Sequence, residues 1–194
     1  MKIVPIQEFD LKREVDYGTP EQNATVKQIV RDIKVEGDAA LLRYTEQHDR
    51  TVLSSEQLRV TPEELKAAYE RVEPSFIKAI AAAAANIRSF HMRQKRNSWM
   101  DLQPDGTILG QIIRPLKRVG VYVPGGKAAY PSSVLMNVIP AQVAGVPEIV
   151  MVTPPGTNGK EGIDPYILVA AAEAGVNEIY RVGGAQAIAA LAYG

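Results

Sequence analysis

The chain contains no cysteine. Disulfides, a thiolate nucleophile and cysteine-ligated zinc are therefore excluded within its 194 residues. Only two histidines are present, His48 and His91, and they are far apart in sequence. Charge of neither sign dominates: Lys+Arg and Asp+Glu both number 22. Without a basic excess, nothing points to nucleic acid or to an anionic membrane surface. No apolar run approaches the roughly 20 residues of a membrane-spanning helix. The opening MKIVPIQEFDLKREVDYG carries charge too early for the apolar core of a signal peptide. The expectation is a soluble, cytoplasmic protein with no nucleic-acid or membrane partner.

What remains is an ordinary globular composition, 46% hydrophobic and 23% charged. A compact chain of this length buries about 70% of its unfolded surface, enough for one domain or two small ones. The first part reads as mostly helical. Thr19 and Pro20 occupy cap and first-turn positions, followed by Val26, Ile29, Val30 and Ile33 at helical spacing, and Gly37 ends the run. DAALLRYTEQHD gives a second short helix. Thr61-Pro62, with Glu64 three residues after the threonine, forms a capping box. From Pro74 to about Lys95, a stripe of Phe76, Ile80, Ala83, Ile87 and Phe90 predicts one amphipathic helix. In SWMDLQPDGTILGQIIRPL, a Pro-Asp-Gly turn between extended runs predicts a hairpin.

From Arg118 the texture alternates. Strands are expected at Val119–Val123, Glu148–Val152 and Glu178–Val182. Helices are expected from Ser132 to Ala144, from the Asp164 cap to Ala174, and over AQAIAALAY. This β-α-β-α-β-α order predicts a parallel sheet. AGVPEIVMV and AGVNEIYRV repeat at an offset of thirty residues. Gly145 and Gly175 thus fall just past a helix, where a left-handed residue is needed. The fold class is α/β: a Rossmann-like parallel unit at 118–194, preceded by a helical region with a hairpin at 1–117.

Two strand ends carry Gly-Gly. Pro124-Gly125-Gly126 follows the first strand, and Gly183-Gly184 follows the third. Open parallel sheets bind ligands outside the carboxyl ends of their strands. Glycine there lets backbone N–H groups approach a phosphate. On spacing alone a plain strand-to-helix turn is the better reading of the first, and the second Gly-Gly strand end strengthens the ligand reading. Gln186, in the first turn of the last helix, can donate and accept, which suits a cofactor amide or ribose; the plain alternative is a solvated polar residue. Tyr122 is either a ligand contact or a sheet-packing aromatic. His91 shares the stripe of Ile87 and reads as a partly buried structural residue, and His48 as a solvated one. The basic run RQKRNSW reads as a solvated helix end. No metal site and no catalytic residue emerge.

Longer segments carry a resemblance. GQIIRPLKRVGVYVPGGKAAYPSSVLMNVIPAQVAGVPEIVMVTPP and EIYRVGGAQAIAALAYG resemble histidinol dehydrogenase, and the likeness extends upstream through NIRSFHMRQ to VEGDAALLRYTEQHD. The resemblance implies an incomplete Rossmann-like, aldehyde-dehydrogenase-like topology without GxGxxG. It implies oxidation of L-histidinol through an aldehyde to L-histidine with two NAD and a zinc ion, in intertwined homodimers. By resemblance Tyr122 and Gln186 contact NAD, with Gly125 and Gly126 beside them. It implies that the zinc ligands, the substrate contacts and the proton-transferring Glu-His pair lie in a second half, beginning with a Gly-Pro-Gly-Asn turn expected after Gly194. The chain is thus expected to be an N-terminal portion that is inactive alone, binds NAD weakly at most, and self-associates or is marginally stable. A non-catalytic α/β fragment, or another nucleotide-binding module, is the alternative.

Overall fold

The computed structural model of the protein describes residues 18–125, 129–156 and 162–194. Helices α1 (Pro20–Glu36), α2 (Asp38–Asp49), α3 (Ser55–Leu58), α4 (Pro62–Tyr69) and α5 (Pro74–Met92) come first. A hairpin of β1 (Trp99–Leu102) and β2 (Ile108–Gln111) follows. The remainder alternates as β3 (Arg118–Tyr122), α6 (Pro131–Ala144), β4 (Glu148–Thr153), α7 (Pro165–Glu173), β5 (Glu178–Arg181) and α8 (Gly184–Tyr193).

Local chemistry sets most boundaries. Thr19 and Thr61 each complete a capping box, with Gln22 and Glu64. Each hydroxyl takes one helix N–H that has no partner within the helix. The Asp164 carboxylate accepts from Tyr166 N–H at 2.9 Å and opens α7. Gly145 and Gly175 have φ of +93° and +78°, so both strand-ward turns use the left-handed backbone expected of them. Gly106, at φ +88°, closes the β1–β2 turn. Ser54 and Gln57 form a third capping box, starting the short α3 that hydrophobic periodicity does not reveal.

β3, β4 and β5 form one parallel sheet in the order β3-β4-β5, with Arg118 opposite Glu148 and Val150 opposite Glu178. Side chains alternate between its faces. Val121, Val123, Met151 and Ile179 point into a core shared with α4, α5, α6 and α7. Tyr122, Val152, Tyr180 and Val182 point the other way, against α1, α2 and α8. The helices of the first region therefore cover both faces of the sheet. That coverage explains why Val150, Met151, Val152 and Thr153 are buried in succession rather than alternately. The loop after α3 seals the outer edge of β5: Val60 N–H donates to Ile179 C=O at 2.9 Å.

Two expectations shift. The long helix stops at Met92 rather than near Lys95, and Phe90, expected on the buried stripe, is 61% exposed. Phe76, Ala83 and Ile87 pack into the core, and Ile80 is buried in it. Phe90 lies a turn further on, in the helix end that leads to the exposed RQKRNSW segment. Among the described residues no helix is long and apolar enough to cross a membrane.

Candidate functional site

The carboxyl ends of the three strands bring Gly125 and the Gly183-Gly184 turn together with their flanking residues. β3 runs on past Tyr122, with Val123 N–H donating to Val152 C=O at 2.9 Å. Tyr122 is half-buried, and its hydroxyl accepts from Gly184 N–H at 3.3 Å. The first strand end is thereby tied to the start of α8, across a sequence separation of 62 residues. Gly125 lies over the end of β4: a Cβ added there would come 3.1 Å from Thr153 Oγ1. Gly183 is pressed on Pro154, where a Cβ would approach the ring to 2.6 Å. Gly126 lies outside the described residues.

Gln186 stands in the first turn of α8, as its sequence position implies, but it is not solvated: 1% of it is exposed. Its side chain folds back over Gly184, whose missing Cβ would otherwise sit 2.5 Å from Oε1. Gly184 also has φ +64°, a conformation that a side chain resists. Gln186 Nε2 is buried without a hydrogen-bond partner, and so is Thr153 Oγ1. Buried polar atoms are almost always satisfied, so two orphans at adjacent strand ends suit an absent polar group. No motif in the sequence marks Thr153. The available clue was a polar residue closing the apolar run EIVMV immediately before Pro154-Pro155.

Beside this end, Arg181 donates to Glu64 at 2.5 Å. Burial pushes the Glu64 carboxyl up, but the Arg181 hydrogen bond and the Thr61 N–H together outweigh it and hold it below the usual range. Arg181 Nε is buried and unpartnered. At the opposite end of the sheet, Arg118 spans Glu148 at 2.9 Å and Glu178 at 2.7 Å. A cleft of about 740 Å³ opens there, lined in part by Gly120, Tyr180, Leu191 and Tyr193. Its lining runs along the α8 face of the sheet, from Arg118 and Glu178 at the amino ends to Val152 and Val182.

The histidines take no part in this cluster of strand-end contacts. His48 is exposed and stacked on Tyr44. His91 is half-buried, with Nδ1 2.7 Å from Gln94 Oε1. Among the described residues no three His, Cys, Asp or Glu side chains come together to hold a metal ion. These residues therefore do not fit zinc.

Fold and site together define an α/β protein with an incomplete Rossmann-like sheet, its glycine turns gathered at the carboxyl ends of the strands. The histidinol dehydrogenase family model matches residues 12–194. The histidinol dehydrogenase of Halalkalibacterium halodurans is 56% identical over all of this chain, which spans 45% of that protein. That of Bacillus subtilis is 52% identical, again over the whole chain and 45% of its own length. The crystal structure of histidinol dehydrogenase from Elizabethkingia anophelis superposes with a TM-score of 0.83 at 40% identity, covering 94% of this chain and 41% of that one. The chain belongs to the histidinol dehydrogenase family, and it spans less than half the length of these relatives.

Proposed function

We propose that this chain is the NAD-side, N-terminal part of a zinc-dependent histidinol dehydrogenase. Within the whole enzyme, L-histidinol is oxidised to L-histidine through histidinal, with two NAD+. The observation that carries the cofactor reading is the pair of buried orphans, Gln186 Nε2 and Thr153 Oγ1, beside Gly125 and the Tyr122–Gly184 hydrogen bond. Their donor and acceptor capacity fits the amide and hydroxyl groups of a dinucleotide. NAD, when bound, supplies the hydride acceptor. Tyr122 fixes the backbone of the α8 turn, Gln186 presents an amide N–H in a dry setting, and Gly125 keeps the approach free of a Cβ. The division at 117/118, with the helical region supporting the NAD-binding unit, belongs to the same proposal, as do self-association into a homo-oligomer and a cytoplasmic location.

Removing the alcohol proton requires a base, and the strand-end cluster offers none. The lone chain is therefore expected to be inactive. A few contacts set against an association cost of at least about 4 kcal/mol imply a Kd of about 1 mM or weaker for NAD. Titration of the chain with NAD by calorimetry checks this, followed by a turnover assay with zinc and histidinol. Turnover by the chain alone refutes the assignment of chemistry. Activity that returns only when the remainder of a relative is added, and is lost in Gln186→Ala, is the expected result.

A further inference from the structure

The β1–β2 hairpin stands apart from both cores: all eight of its strand residues are exposed. Its base is closed by Ile113 N–H donating to Ser98 Oγ at 2.8 Å. The register pairs Met100 with Gly110 and Leu102 with Ile108, which puts these four on one face. That face is wholly apolar, with Met100 75%, Leu102 70% and Ile108 60% exposed. A Cβ at Gly110 would come 2.7 Å from the Trp99 carbonyl oxygen and 3.1 Å from Met100 Cγ, so glycine keeps the strands close and lets the Met100 side chain lie flat. The opposite face is mixed: Trp99 and Leu109 alternate with Asp101 and Gln111. A two-stranded hairpin is marginal alone, and one with a bare apolar face and open edges needs a cover.

Its charges indicate which cover. The base is flanked by exposed Arg93, Lys95, Arg96, Arg114 and Lys117, none of them in an ion pair among the described residues. The distal half carries Asp101 and, in the turn, Asp105. One end is basic and the other acidic, so the hairpin is complementary to itself when reversed, the condition for a two-fold contact between identical surfaces. We infer that the apolar plate of Met100, Leu102 and Ile108 is the surface on which a second copy of this chain docks, face to face and tip to base. A two-fold axis across the strands lays Met100 over the second copy's Leu102, and sets the acidic tip of each against the basic base of the other. The inference rests on the self-association proposed above and names its surface.

Sedimentation equilibrium of the 194-residue chain is expected to show a dimer. Leu102→Lys/Ile108→Lys is expected to raise its dissociation constant at least about 100-fold, because the plates would then oppose like charges. The circular dichroism spectrum should not change, since both side chains are exposed, while the melting temperature falls by what the lost association contributed. Because the chain lacks cysteine, Met100→Cys and Leu102→Cys each carry a single thiol. Mixed and oxidised, they are expected to form a disulfide between the two variants in preference to either with itself. A monomeric wild-type chain at tens of micromolar overturns both self-association and this surface. A dimer that survives Leu102→Lys/Ile108→Lys overturns the surface alone. Dissociation by that variant without the mixed disulfide overturns the tip-to-base pairing.

Discussion

Asp49 closes α2 with one carboxylate oxygen buried and unpartnered. Burial pushes its pKa above the usual carboxylate value, and its charge also faces the negative end of the helix dipole. A carboxyl whose folded-state pKa is raised favours the folded state below the unfolded value, near 3.8, and loses that advantage as pH rises through the folded one. Asp49→Asn is therefore expected to stabilise the protein by about 1 kcal/mol at neutral pH. The gain should disappear in urea melts run well below pH 3.8. The strand-end residues were legible to different degrees. Gln186 could be placed in a first turn from GGAQ alone, because glycine punctuation is local. That it is buried could not be read, because Tyr122 and Pro154, from distant parts of the chain, help to close the space around its turn. Thr153 was illegible for the same reason: nothing near it in sequence says that its hydroxyl ends without a partner.

At the scale of elements, two glycines in the parallel unit meet neighbours of different stiffness. A Cβ on Gly183 would press on the Pro154 ring at 2.6 Å and on its Cα at 3.3 Å. Neither can rotate away, so the ends of β4 and β5 would have to part. Gly183→Ala is expected to cost about 1–3 kcal/mol in denaturant unfolding. A Cβ on Gly120 would come 2.5 Å from Leu191 Cδ1, nominally a harder clash. Leu191, however, lines the open cleft on the α8 face of the sheet and can swing into it. Gly120→Ala is expected to cost less than Gly183→Ala, and the reverse order would show that α8 holds Leu191 rigidly. The elements themselves were largely legible. Thr19, Thr61 and Asp164 cap within four residues of where they sit, and Gly145 and Gly175 mark their turns. α3 escaped because a single turn has no period to detect. The exposure of Phe90 escaped because helical spacing says which face a residue shares, not where the neighbouring element stops.

At the scale of the whole molecule, the first helical region is half of the packing of the sheet rather than an appendage to it. α1 and α2 cover Val152 and Val182, while α4 and α5 close the other side. A chain beginning at Ser54 would keep every strand yet leave one face covered by α8 alone. It is expected to lose its cooperative urea transition, which fluorescence and circular dichroism followed together would check. Sequence could not show this division of labour. The helical stripes announce that they will be buried, not on which face.

The order of the sheet bears on how the chain is made. Strand order equals chain order, and Arg118 meets Glu148 after only 30 residues. Each strand emerging from the ribosome finds its neighbour already synthesised, and the sheet grows outward by one short closure at a time. The link between Glu64 and Arg181 spans 117 residues, so one helical flank cannot lock until β5 has emerged. Contacts of long separation form slowly. During synthesis the start of α4 therefore waits for the third strand, and α1 and α2 wait longer still, for α8.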